Sequence, residues 1–92
     1  MRYSVGVHPL DTKHWQDDTV SVLRRAALED NRVVAIGELG LDLFRDKNLD
    51  EQLAVLGPQL DLAVELGKPV IIHCRDAGEP MLKELRSRSA DG

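Results

Sequence analysis

Apolar residues along this chain fall into two alternating patterns. Three runs are short and continuous: "YSVGV" at 3–7, "VVAIGE" at 33–38 and "PVIIHC" at 69–74. Continuous apolar runs of this length predict strands buried on both faces, as in a parallel sheet covered by helices. Between the runs, apolar positions recur with helical spacing, in steps of three or four from Leu49 to Val64. Val20, Leu23 and Leu28 share one helical face; Leu49, Leu53, Leu56, Leu60 and Val64 share another. Asp17 and Asp18 suit the start of the first helix, and "EDNR" breaks it. Gly67 suits the C′ position after the second, and Pro69 opens the third strand. Met81, Leu82 and Leu85 mark a last helix with Pro80 in its first turn. Gly57-Pro58 interrupts the second helix, but its stripe stays in phase from Leu56 to Leu60, which predicts one kinked helix. The order is βαβαβα, and residues 1–92 suit one small α/β domain or a piece of a larger one.

The connections are unequal. Those after the first two helices are short and plain, whereas those after the strands are long and carry His, Asp, Glu and Arg. Segment 8–15 and the stretch "LGLDLFRDKN" both read as such loops. Sites of parallel α/β proteins lie at the strand ends that these loops extend. His8, Glu38 and His73 follow three successive strands and lie 30 and 35 residues apart, about one βα unit each. Ile36 and Glu38 share a strand face by alternation, as do Ile71 and His73. A carboxylate and an imidazole converging at neighbouring strand ends suit a divalent metal, and His8 stands where it can join them. Against this, a single His or Glu at a strand end is ordinarily a hydrogen-bonded or solvated terminus. Arg75 reads either as a phosphate contact or as a local partner of Asp76. Asp42 reads as a turn residue. Cys74, alternating away from His73, is expected to pack under a helix. His14 and Trp15 are read as covering the sheet edge.

Composition narrows the function. Aromatic residues make up only 3% of the chain, so a base-stacking platform is disfavoured. A formal charge of −4, with no basic tract, excludes a purely electrostatic nucleic-acid binder. It leaves open an enzyme that meets phosphates through cations. Cys74 is the lone cysteine, so no disulfide framework exists. No apolar run approaches membrane-spanning length, and an intracellular location, cytoplasmic or nuclear, is expected.

The pieces "GVHP" at 6–9, "AIGELGLD" at 35–42 and "ELGKPVIIHCRDA" at 65–77, with "EQLAVLGPQLDLA" between the last two, resemble the TatD-type metal-dependent DNases. The resemblance spans nearly the whole chain. It implies a segment of a (β/α)8 TIM barrel and a divalent-metal hydrolase that takes DNA as substrate. It implies that Glu38 and His73 are metal ligands, with Glu38 bridging two ions, and that His8 and Arg75 act on the phosphate. Magnesium, manganese or zinc would serve, two ions per complete site. The family's H-x-H pair, a later histidine and a final aspartate have no counterpart here. Three βα units are also too few to close a barrel, which typically takes ~250 residues. The expectation is therefore an internal segment or truncated product, with Met1 a downstream start. It would be a weak enzyme alone and prone to self-association through its sheet edges. The alternative is a non-catalytic fragment acting through protein binding.

Overall fold

The structure is a computed structural model that describes residues 2–88. Three parallel strands, β1 (Tyr3–Val5), β2 (Val33–Asp42) and β3 (Val70–Arg75), lie in the order β1-β2-β3. The helices are α1 (Thr19–Glu29), α2 (Leu49–Leu66) and α3 (Gly78–Arg88), with a 3₁₀ turn over Pro9–His14. The expected βαβαβα order holds. The segment read as a polar loop after His8 is this turn, with Pro9 buried at its start.

Local chemistry explains the boundaries. Asn48 caps α2: its side-chain oxygen accepts from the Glu51 N–H at 3.2 Å, while its amide donates to the Glu51 carboxylate at 2.7 Å. Asp50 and Glu51 in the first turn suit the positive helix end. Gly67 closes the helix in the left-handed conformation, φ 64°. Asp18 occupies the N-cap position of α1 without a side-chain cap bond. Thr19 Oγ1 instead accepts the Gln16 N–H at 2.8 Å. Helix α2 runs unbroken through Gly57-Pro58. Gly57 is buried, and a Cβ there would lie 2.6 Å from the Arg88 guanidinium of α3. The glycine is thus a seat for a neighbouring helix rather than a helix stop.

The core joins one side of the sheet to α1, α2 and α3. Val33, Ile36, Leu39 and Leu41 of β2 pack with Leu23, Leu56, Leu60, Leu62 and Met81. Three expectations are corrected by this arrangement. β2 runs on through "LGLD" to Asp42 instead of ending at Glu38. Burial of the third strand fails: β3 is an edge, and Ile71 and Ile72 keep 44% and 40% of their surface. Cys74 is likewise exposed rather than packed under a helix. Among the described residues, only the central strand has neighbours on both sides. Two stripe residues, Leu28 and Val64, are also exposed, because α1 and α2 turn other residues inward. Trp15, by contrast, does pack against the core.

Candidate metal centre

The C-terminal end of the sheet is held by two glutamines of α2, seven residues apart and therefore on one face. Gln59 Oε1 accepts the Val7 N–H at 2.7 Å, and its amide donates to the Val7 carbonyl at 3.1 Å. Gln52 Oε1 accepts the Asp42 N–H at 2.8 Å, and its amide donates to the Asp42 carbonyl at 3.0 Å. Both side chains are buried. A buried amide that meets both peptide groups of one residue fixes that residue's position and leaves no orphaned donor. Helix α2 thereby sets where the chain leaves β1, just before His8, and where it leaves β2. Neither glutamine was picked out from sequence. The available signal was a polar residue inside an otherwise apolar helical face.

Glu38 reaches the site through an irregularity. The β2–β3 register runs Gly37 opposite Ile71 and then Leu39 opposite Ile72, so Glu38 has no partner. Such a bulge re-aims a side chain. Ile36 is fully buried while Glu38 keeps 52% of its side chain exposed, so the expected shared face by simple alternation does not hold. Gly40 lets β3 approach closely at the other side of the bulge.

His8, Glu38 and His73 come together here, each offering a donor atom within 4.8 Å of the others. His8 Nε2 lies 3.6 Å from Glu38 Oε1, and the two imidazole rings are 4.4 Å apart between centroids. The ring nitrogens are not equivalent. His8 Nδ1 accepts the Leu10 N–H at 3.1 Å, so in the neutral ring the proton sits on Nε2 and faces the site. His73 Nε2 lies 2.9 Å from Asp42 Oδ2. Asp42 is only 1% exposed, yet its carboxyl is held below the usual carboxylate range. The largest cause is the hydrogen bond from the Arg45 N–H, with the His73 and Phe44 contacts adding to it against the cost of burial. The turn role expected of Asp42 is present: Oδ1 accepts from Phe44 N–H at 3.0 Å and Arg45 N–H at 2.9 Å. Its contact with His73 was not anticipated.

The donor set fits a divalent ion. Two donors on one tetrahedral ion stand roughly 3.4 Å apart for ~2.1 Å bonds. A small closure from 4.8 Å or a pair of ions would satisfy this. Arg75 stands apart from the trio: its guanidinium lies 3.9 Å from the centre of the Phe44 ring, a cation–π contact. It makes no ion pair with Asp76 among the described residues. The apolar groove lined by Leu60, Ala63, Pro69, Val70 and Leu85 lies at the opposite end of β3. No helix among the described residues is long and apolar enough to cross a membrane.

Known proteins share both the sequence and the shape. A protein described as a 3′-5′ ssDNA/RNA exonuclease TatD, from Rahnella sp. (strain Y9602), is 48% identical over 89 residues, which is 96% of this chain and 34% of that protein. One of the same description from Erwinia billingiae is 43% identical over 83 residues, 89% of this chain and 31% of that protein. The chain thus spans about a third of the length of these curated relatives. The crystal structure of YjjV, a TatD homologue from Escherichia coli K12, superposes with a TM-score of 0.88 at 32% identity, covering 98% of this chain and 36% of that one. The three βα units are therefore a segment of a TIM barrel, as expected. The family model described as TatD related DNase matches residues 1–92, so this chain, whose two histidines and glutamate meet at one end of the sheet, belongs to that family.

Proposed function

We propose that residues 1–92 form part of one hydrolase domain and supply one wall of a divalent-metal nuclease site acting on single-stranded DNA or RNA. The observation that carries this reading is the convergence of His8, Glu38 and His73 at one sheet end. The names of the relatives support the substrate class.

Glu38 and the free Nδ1 of His73 would hold the metal, with Glu38 having a second oxygen for another ion. Magnesium, manganese and zinc all accept such donors. When bound, the metal supplies an activated water and charge neutralisation at a phosphate. His8 keeps its Nε2 proton pointed into the site and donates it in a hydrogen bond to a phosphate oxygen or water. Arg75 contacts the substrate backbone from its place over Phe44. An intracellular location goes with this reading, since exposed Cys74 persists as a free thiol in a reducing compartment. Association between copies through the strand edges also belongs to it.

The test is cleavage of single-stranded DNA by the purified chain with each metal, beside Glu38→Gln. Slow, metal-dependent cleavage that disappears in the variant is expected. Equal cleavage by both proteins would refute the reading. A second reading, a non-catalytic binding segment, is favoured by the exposed Ile71 and Ile72 of β3. It predicts no Glu38-dependent cleavage.

A further inference from the structure

The two oxygens of Asp42 have different partners. Oδ1 accepts two backbone N–H groups, from Phe44 and Arg45, and so has only an acceptor role. Oδ2 faces His73 Nε2 at 2.9 Å. The side chain is buried, and its backbone is gripped by Gln52 on both its N–H and its carbonyl. It has little freedom to turn away. An ionised Asp42 presents Oδ2 as an acceptor, so the proton of the His73 ring belongs on Nε2. That leaves Nδ1 as the ring nitrogen with a free lone pair, in a residue that offers a donor atom within 4.8 Å of those of Glu38 and His8.

We propose that Asp42 is a positioning residue that locks His73 in the Nε2–H tautomer and so presents the Nδ1 lone pair to the site. The ring is held from behind by a carboxylate, an arrangement that orients metal-bound histidines and raises their basicity. The lock itself is a property of the metal-free protein. Its consequence for metal binding rests on the function proposed above.

Asp42→Asn separates this role from a merely structural one. The two N–H groups of Phe44 and Arg45 demand an oxygen, so the amide oxygen takes the place of Oδ1. The NH₂ group must then face His73 Nε2. Two donors cannot meet there, so the ring has to move its proton to Nδ1, the wrong tautomer for ligation. The turn and the fold are kept.

The experiment is ¹⁵N NMR of the histidine rings in the metal-free protein, in which His8, His14 and His73 are the only three to assign. Titration with zinc or manganese follows. In the wild type, His73 is expected to show a protonated Nε2 and a bare Nδ1. In Asp42→Asn the pattern should reverse, and metal affinity should fall by ~10–100-fold. A protonated Nδ1 in the wild type, or an unchanged tautomer in the variant, would overturn the proposal. Should the variant not fold, by circular dichroism, the wild-type spectrum decides alone. The expected tautomers with no saturable metal binding by the wild type would uphold the lock and refute the metal reading.

Discussion

At Gly40, β2 and β3 come so close that a Cβ would lie 1.9 Å from the His73 carbonyl oxygen. Its φ of 142° also lies where side chains are rarely accommodated. The glycine thus holds His73 against the strand that carries Glu38 and Asp42. Gly40→Ala is expected to cost about 3 kcal/mol, in the range of overpacking. A shift of the urea midpoint at constant slope measures it. A change within roughly 0.5 kcal/mol, typical of neutral surface positions, would show that the strands part freely. At this scale the convergence of His8, Glu38 and His73 was legible, because one βα unit separates each from the next and each carries metal-type donors. Asp42 was half legible. Its turn role is local and can be read from "GLD", but its bond to His73 spans 31 residues and depends on strand register. The contact of Arg75 with Phe44 was not legible.

Among the elements, α2 determines most of the site geometry through Gln52 and Gln59. Gln59→Leu keeps the volume roughly but leaves the Val7 N–H and carbonyl without the partner they now share. Each unsatisfied buried group costs about 1–3 kcal/mol, so a loss of ~2–4 kcal/mol is expected, read by denaturant unfolding. A neutral result would mean that water replaces the amide at no cost. The helices themselves were readable from period and caps, including Gly67 and the continuity through Pro58. The length of β2 was not, since "LGLD" reads as a loop by its glycine and charge. In the folded chain that segment is strand because Leu39 and Leu41 enter the core and Asp42 is gripped by Gln52. The exposure of β3 was also hidden, because an apolar run does not say whether a strand is central or at an edge. Ile71 and Ile72 match the strand pattern and still face outward.

For the whole molecule, the order β1-β2-β3 leaves the outer side of β3 unpaired among the described residues. Ile71 and Ile72 add apolar surface there. Unprotected edges of this kind invite pairing with another strand. The chain is expected to show concentration-dependent association by light scattering after size exclusion, and Ile71→Lys should reduce it. A monomer at all concentrations would remove this expectation. Metal binding itself is read by calorimetric titration of manganese into the wild type and Glu38→Gln. Glu38 is half exposed, so the fold should survive the change. Loss of a ligand should exceed the ~10–100-fold effect of removing a supporting group. Saturable binding by the wild type, weakened by more than ~100-fold in the variant, is expected. Equal affinities, or no saturable binding by either protein, would contradict it.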